Sequence, residues 1–488
     1  MSLLTQVRHG IAWTTGARAC AQVLDFAVGI ALARLLTPED FGLLEMTVVI
    51  TGFLALFGEL GFGAALIQRQ ELHEHHASTV FWLNLITGLG LAGVLALGAP
   101  WIARFYGDAR LMPLSWAISI NFLISPLNMV QGAMLHRAMK FRELAIVEVT
   151  SVVVSSATAV ALALNAMGTW SLVGRSLAGG VTSTIVIWTV SDWRPRYVFS
   201  RAALKELLAF STNLFGFMTI NYWARQVDDL LVGKYMGPSQ LGIYGRAYAT
   251  MMLPIKELSN VLGRVLFPAM SRIKEDKPQV KSLYLGWLDI IAFISFPIMA
   301  LLCASADNLI VTLYGEKWRP VIPVLRIFCV VGAFQSLGTT VGWIYQSQGR
   351  TDVMFRWGLV ASLLIIASIV FGVWLGSIEA VATSYAVMTV ALLSYPQFAI
   401  PGRLIGLRPV ELVRTVWRTA LCALVTAAAV WALGLRLQRL PAGIALGIQL
   451  VVGAGLYLVL ARVFASSSLH SVRDRLFNDR KNAMAPGA

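Results

Sequence analysis

Apolar residues occur in long blocks along this chain, and short polar stretches separate the blocks. A helix needs about 20 apolar residues to cross a bilayer. Fourteen segments meet that length, near residues 11–33, 41–66, 78–103, 111–132, 144–165, 169–190, 205–233, 241–267, 283–304, 320–345, 354–375, 378–400, 413–434 and 442–464. The pattern predicts an all-α multi-pass membrane protein with fourteen transmembrane helices.

The polar stretches between the blocks contain two repeated motifs. The stretch "LLTPEDFGLLE" at 35–45 is matched by "YMGPSQLGIYG" at 235–245, and "FYGD" at 105–108 is matched by "LYGE" at 313–316. In the first pair a proline falls in the first turn of a helix, where its missing N–H is harmless. The residues around it have the spacing of a capping box in the first copy. Each copy therefore predicts the start of a helix.

The repeats divide the chain into two halves of six helices. Because six is even, both halves share one orientation, as in transporters built from parallel repeats. We expect an N-terminal bundle at 1–198, a C-terminal bundle at 199–402, two additional helices at 403–466 and a cytoplasmic tail at 467–488. Two pseudo-symmetric bundles around a central cavity indicate a transporter that works by alternating access.

Composition supports a membrane protein, since 57% of the residues are hydrophobic and 13% are charged, against about 25% charged in soluble domains. The net charge of +14 would also suit a nucleic-acid partner. However, most Lys and Arg fall in the loops and tails of one side of the predicted topology. This distribution follows the positive-inside rule, and it predicts that both termini are cytoplasmic.

The first predicted span carries a polar face. Thr14, Arg18, Gln22 and Asp25 have the spacing of one side of a helix. Ionisable residues inside a membrane are costly unless they face a cavity or each other. Arg18 is therefore a candidate for substrate contact, and its alternative partner is Asp25, about two turns away along the helix.

Two more arginines are candidates within predicted spans. Arg246 has no acidic partner within one turn of its own helix, which favours contact with a substrate. Arg225 has Asp228 and Asp229 at i+3 and i+4, a spacing that allows an ion pair within the helix. A ligand role and an ion pair both stay open for Arg225.

Motifs for metal, cofactor or catalysis are missing from the sequence. His73, His75 and His76 in "ELHEHH" lack the HExxH arrangement and fall in a predicted loop. We therefore expect a solvated loop there and no metal. Neither a Walker loop nor a GxSxG motif occurs, and the short connections leave little room for a catalytic domain. We expect no cofactor and no enzymatic reaction.

Four stretches resemble a known family: "LARLLTPEDFGLLE", "GELGFGAALIQRQEL", "GRVLFPAMSRIKED" and "LYGEKWRPVIPVLRIFCVVG". Their order and sequence are similar to polysaccharide transporters of the Wzx type, in the branch that includes colanic acid exporters, within the MOP flippase superfamily. The resemblance implies a fourteen-helix flippase of the bacterial inner membrane. Such a flippase moves polyprenyl-diphosphate-linked oligosaccharide repeat units from the cytoplasmic to the periplasmic leaflet, for exopolysaccharide, capsule or O-antigen assembly.

The resemblance also implies cationic residues in a central cavity, which Arg18, Arg225 and Arg246 can supply for the diphosphate. Membrane lipids, a polysaccharide polymerase and export machinery are the partners it implies. Asp25 is a candidate for coupling transport to a proton or sodium gradient, because a carboxylate in mid-helix is expensive to keep charged.

Two other functions compete with the flippase. A drug or metabolite antiporter of the same superfamily would share the fold, but its cavity should favour acidic and aromatic groups for cationic ligands. A membrane glycosyltransferase or polymerase is the alternative from a different class, and the short loops argue against it. The arginines within the spans favour an anionic substrate.

Overall fold

The computed structural model describes residues 3–58, 74–198, 219, 221–223 and 225–464. Every regular element in that part of the chain is helical, which confirms the predicted all-α class. The tail at 467–488 and His73 lie outside the described residues, and so does most of the predicted span at 205–233.

The chain forms two compact units, Met1–Gly242 and Ile243–Ala488. The helices of the first unit are α1 (Leu3–Leu35), α2 (Pro38–Gly58), α3 (Glu74–Tyr106), α4 (Leu111–Ser119), α5 (Asn121–Arg137), α6 (Phe141–Leu164) and α7 (Thr169–Val190). Residues 225–236 are also helical. Helix α8 (Pro238–Arg272) begins in the first unit and continues into the second.

The second unit follows the same succession of long helices and short turns. Its helices are α9 (Lys277–Ala304), α10 (Ala306–Leu313), α11 (Val321–Gly338), α12 (Val341–Ser347), α13 (Thr351–Trp374), α14 (Ile378–Ala386), α15 (Ser394–Gly402), α16 (Pro409–Arg436) and α17 (Ala442–Phe464). A π-helical segment, Val387–Leu393, joins α14 to α15.

Eleven helical stretches in the described part are long and apolar enough to cross a membrane. They coincide with eleven of the fourteen predicted spans. Helices α7 and α8 occupy two further predicted spans, at 169–190 and 241–267, and both carry charged side chains that lower their hydropathy. Helical structure therefore accounts for thirteen predicted spans.

Small residues let α1 pack closely against α6. Ala159 and Ala163 of α6 form a buried cluster with Leu32 of α1 and with Leu36 just beyond it, and Leu172 of α7 completes the cluster. Between helices in a membrane there is no hydrophobic driving force, so close van der Waals contact of this kind supplies the stability.

Buried hydroxyl groups connect the helices of the second unit. The Oγ atoms of Ser295 in α9 and Ser336 in α11 lie 2.8 Å apart. The Tyr457 hydroxyl of α17 donates to the Phe293 carbonyl of α9 across 2.8 Å. These bonds fix α11 and α17 against α9, which therefore lies at the centre of the unit.

The first repeated motif begins a helix in both copies, as predicted. In the first copy the Thr37 N–H donates to Asp40 Oδ2 across 2.9 Å, and the Asp40 N–H donates to Thr37 Oγ1 across 3.3 Å. This is the reciprocal pattern of a capping box. Asp40 Oδ1 also accepts from Thr169 Oγ1, at 3.1 Å, which ties the start of α2 to α7.

The two copies of this motif pack directly on each other within the first unit. A Cβ atom added at Gly42 would lie 1.7 Å from the Pro238 carbonyl oxygen, and one added at Gly242 would lie 1.9 Å from the Pro38 carbonyl oxygen. Only glycine fits at such a distance, because it has no Cβ. The matched prolines and glycines therefore form a reciprocal helix crossing.

The second repeated motif forms a glycine turn in both copies. Gly107 has φ +77° and Gly315 has φ +96°, values that glycine adopts without steric cost. Each turn then carries an ion pair, Asp108 with Arg110 at 2.7 Å and Glu316 with Arg319. The neighbouring guanidinium lowers the pKa of both carboxyl groups through these hydrogen bonds. The sequence match therefore corresponds to a glycine with positive φ in both copies.

Candidate functional site

An ion pair joins two helices of the first unit inside the membrane. Arg175 Nη2 of α7 donates to Asp25 Oδ1 of α1 across 2.5 Å. The Arg175 side chain is 27% exposed and that of Asp25 is 51% exposed, so the pair lies at an accessible surface of the unit. Asp25 therefore has a cationic partner from another helix.

Arg175 was not among the residues that we selected from the sequence. It lies inside a predicted span, and an ionisable residue at such a position is itself a signal of function. Spacing along one helix cannot show that α7 brings it to Asp25. The pair is a long-range contact between α1 and α7, two helices that both pack against α6.

Arg18 lies two turns before Asp25 on the same helix and is exposed. The ion pair that Asp25 makes is with Arg175. No ion pair to Arg18 exists among the residues that the structure describes. Its guanidinium is accessible to an anionic ligand at the surface of the first unit.

Small polar residues near this surface hold helices together. Asn121 Nδ2 of α5 donates to Ser176 Oγ of α7 across 3.1 Å. Ser151 Oγ of α6 donates to the Gly179 carbonyl of α7 across 2.8 Å. Hydrogen bonds between helices are a common use of such residues in membranes, and these two place α7 next to α5 and α6.

Arg246 of α8 lies in the second unit, and its guanidinium is close to two aromatic rings. Its guanidinium carbon is 5.1 Å from the centre of the Tyr314 ring and 5.3 Å from that of Trp318. Both rings are buried, and Tyr314 is further held by Thr250, whose Oγ1 is 3.1 Å from the tyrosine hydroxyl. Attraction between a cation and a ring favours this position.

The rings that hold Arg246 belong to the second copy of the glycine turn. The centres of the two rings are 6.0 Å apart, so both rings lie on the same side of the guanidinium. Contact with both rings limits where the guanidinium can lie and is compatible with donation to phosphate oxygens. Sequence reasoning found Arg246 but not these rings, because they lie more than sixty residues further along the chain.

Arg225 donates from Nε to Asn221 Oδ1 across 3.3 Å and is exposed. Asp229 lies within electrostatic reach of Asp228 and of Glu45 in α2. Asp229, one of the two acidic residues that sequence spacing offered to Arg225, thus also lies near a carboxylate from another helix. The structure places Arg18, Asp25 and Arg225 in the first unit and Arg246 in the second.

The described part of the chain contains no group of three His, Cys, Asp or Glu side chains that is arranged to bind a metal ion. The sequence predicted a loop at His75 and His76, but they lie in the first turn of α3, and their ring centres are 4.1 Å apart with the planes tilted by 41°.

Comparison with known proteins identifies a family. A family model described as "Polysaccharide biosynthesis protein" matches residues 31–323. The teichuronic acid biosynthesis protein TuaB of Bacillus subtilis strain 168 is 29% identical over 80% of this chain and 81% of its own. The lipopolysaccharide biosynthesis protein WzxC of Escherichia coli K12 is 26% identical over 90% and 89%. The succinoglycan biosynthesis transport protein ExoT of Rhizobium meliloti 1021 is 26% identical over 80% and 79%.

Solved structures identify the fold. The lipid II flippase MurJ, in an inward closed conformation, matches with a TM-score of 0.75 and 14% identity, covering 93% of this chain and 99% of that one. An inward-facing multidrug resistance transporter of the MATE family, in the MOP superfamily, matches with a TM-score of 0.60 and 16% identity, covering 79% and 94%. The family model spans more than half of the chain, so this chain belongs to the polysaccharide biosynthesis protein family, and it has the fold of the MOP superfamily transporters.

Proposed function

We propose that this protein is a flippase for lipid-linked oligosaccharides. The observation that carries the proposal is the family membership combined with a fold shared over 93% of the chain with a lipid II flippase. The substrate class is a polyprenyl-diphosphate-linked repeat unit, which moves from the cytoplasmic to the periplasmic leaflet for surface polysaccharide assembly. The relatives named for polysaccharide transport and biosynthesis support this class.

In this proposal the protein has two pseudo-symmetric six-helix bundles, 1–198 and 199–402. They surround a central cavity that opens alternately to the two sides of the membrane. Two further helices at 403–466 and a cytoplasmic tail at 467–488 complete the chain. The helix starts at Pro38 and Pro238 and the positive φ of Gly107 and Gly315 support the internal symmetry. The bundles lie in the bacterial inner membrane with both termini in the cytoplasm, as the positive-inside rule suggests.

The diphosphate is held by Arg18 and Arg246, with Arg225 as a third contact. A diphosphate that leaves water for a partly dry cavity loses hydration, and fixed cations must offset that loss. Arginine keeps its charge at any relevant pH and can give two parallel hydrogen bonds to phosphate oxygens. The exposed position of Arg18 and the ring-held orientation of Arg246 support these assignments.

Asp25 couples transport to an ion gradient through its pair with Arg175. Protonation or ion binding at Asp25 weakens the pair and releases Arg175 towards an anionic ligand. Release of the proton or ion from Asp25 restores the ion pair, and Arg175 then no longer contacts the ligand. The 2.5 Å contact between two different helices supports a role in which the state of charge changes how α1 and α7 interact.

Cells that lack the protein provide the test. They should accumulate lipid-linked repeat units that only reagents on the cytoplasmic side can reach, and surface polysaccharide should fall. Returning the gene should reverse both changes. Normal polysaccharide together with normal sidedness of the lipid-linked sugar would contradict the proposal.

A further inference from the structure

A groove of about 630 Å³ runs between the first turns of α6 and the facing part of α1. Its walls include Trp13, Gly16 and Cys20 from α1 and Ala145, Ile146 and Val149 from α6. Its volume is within the range of ligand sites. None of these residues contributes to the arginine contacts proposed above.

Small side chains create the groove. Helices α1 and α6 pack tightly at their other ends through Leu32, Ala159 and Ala163. At Gly16, by contrast, an added Cβ atom would meet no atom within 4 Å. Ala17 and Ala145 are buried at the floor, whereas Trp13 is 48% and Ile146 is 40% exposed at the rim.

The lining is apolar. The hydroxyl of Thr150, which also borders the groove, donates to the Ile146 carbonyl of its own helix across 2.7 Å. That donor is therefore already satisfied. A groove of this kind favours a hydrocarbon chain over water or a sugar.

A cation lies at one end of the groove. The Arg142 guanidinium is 6.0 Å from the centre of the Trp13 ring, and Arg142 occupies the first turn of α6, on the face that Ala145 and Val149 share. In the proposed topology this end is at the cytoplasmic surface. The groove therefore complements a lipid that has an apolar chain and an anionic head in the cytoplasmic leaflet.

We propose that the groove binds the polyprenyl chain of the lipid-linked substrate before translocation, with its diphosphate beside Arg142. The identity of the occupant rests on the proposed function. Arg18 projects from nearly the opposite face of α1, as its spacing from Gly16 and Cys20 requires. A helix is about 10 Å wide with its side chains, so the head can pass around α1 to the polar face while the chain stays anchored.

Cys20 provides a direct probe of occupancy. It is exposed, whereas Cys329 and Cys422 are buried and Cys303 is partly buried. Purified full-length protein is treated with N-ethylmaleimide, and modification of the peptide that contains Cys20 is followed by mass spectrometry. A polyprenyl diphosphate at ten times its dissociation constant should slow this modification about tenfold. The same molar amount of phosphatidylglycerol should have little effect.

Gly16→Phe should fill the groove and abolish protection by the polyprenyl diphosphate. Gly90→Phe is the matched control, because Gly90 is exposed on α3 and an added Cβ there also meets nothing within 4 Å. This control should behave as wild type. Arg142→Gln should weaken protection and reduce its dependence on salt. Thermal melting of each variant shows that it is folded.

The outcomes separate this inference from the proposed function. Equal protection by phosphatidylglycerol, or no protection by the polyprenyl diphosphate, would overturn the groove assignment even if translocation is observed. Protection that Gly16→Phe leaves intact in a folded protein would overturn it as well. Protection without any translocation would leave the groove as a polyprenyl site and reject the flippase.

Discussion

An arginine inside a membrane span needs water, a counter-charge or a ligand to compensate for its lost hydration. Arg175 has a counter-charge in Asp25, and Arg246 has the faces of two rings. Arg18 is exposed and makes no ion pair with any residue that the structure describes. These three environments suit three functions, namely ion coupling, oriented binding and first contact with the ligand.

Asp25→Asn should remove the response of transport to an imposed ion gradient. Asparagine keeps the size of the side chain but cannot bind a proton or offer a full charge to Arg175. Both partners are partly exposed, so the loss of stability should stay below about 1 kcal/mol. Flipping by the variant is measured at several pH and sodium gradients, and a response equal to that of wild type would reject the coupling role.

Arg246→Lys should retain part of the activity, and Arg246→Ala should retain little. Lysine keeps the charge but lacks the planar group that lies close to Tyr314 and Trp318 and gives two parallel hydrogen bonds. Loss of this contact should cost about 0.5 to 2 kcal/mol of stability. Thermal melting and binding of a polyprenyl diphosphate are measured together. Unchanged binding in both variants would show that Arg246 only supports the glycine turn.

Residue spacing along single helices identified four candidates but not all of the residues that contact them. The candidates are Arg18, Asp25, Arg225 and Arg246. The partner of Asp25 comes from α7, and the rings beside Arg246 come from a turn more than sixty residues away. Such contacts depend on how helices pack against each other. Residue spacing along one helix does not predict which other helix will lie next to it. Residue types therefore predicted candidates, whereas the structure supplied their chemistry.

At the scale of the element, α1 has two working faces. One face carries Arg18 and Asp25, and the other lines the apolar groove with Gly16 and Cys20. A helix that separates a lipid groove from a polar surface can guide a molecule that has both an apolar chain and a charged head. Sequence periodicity predicted the polar face, but the groove depends on the small residues of α6 as well.

The crossing of α2 and α8 tolerates little change, because its glycines leave no space for a side chain. Gly42→Ala or Gly242→Ala puts a methyl group within 2 Å of a proline carbonyl oxygen, so the helices must separate. Overpacking of this kind costs about 1 to 3 kcal/mol. Each variant should melt several degrees below wild type in detergent.

Gly98→Ala is the matched control for these two changes, because an added Cβ at Gly98 in α3 meets no atom within 4 Å. Its melting temperature should equal that of wild type or exceed it slightly, since alanine favours a helix. Melting of Gly42→Ala at the wild-type temperature would show that the two helix starts are not in close contact.

For the whole molecule, hydropathy alone predicted the helical class. The first repeated motif predicted the two helix starts at Pro38 and Pro238. Helices α7 and α8 are not among the eleven clear spans, and they carry Arg175 and Arg246. Arg246 is a proposed substrate contact in one of these two helices, whereas Arg18 lies in α1, which is one of the eleven clear spans.

The charge asymmetry of the loops predicts the topology. Reporter fusions after residues 198 and 466 should both give cytoplasmic signals, because positive loops stay on the cytoplasmic side. A fusion in the turn at 107–110 should give a periplasmic signal and serves as the opposite control. A periplasmic signal at 198 or 466 would contradict both the orientation and the parallel repeats.

Translocation by the purified protein tests the central claim most directly. Proteoliposomes are loaded with a fluorescent polyprenyl-diphosphate oligosaccharide, and its movement between leaflets is followed with a membrane-impermeant quencher. Wild-type protein should accelerate this movement far above protein-free vesicles. Arg18→Ala should weaken binding about tenfold to hundredfold, since a hydrogen bond to a charged group contributes about 1.5 to 3 kcal/mol. Arg350→Ala, at an exposed turn pair with Asp352, should match wild type. No acceleration by folded wild-type protein, or full activity in Arg18→Ala, would contradict the account.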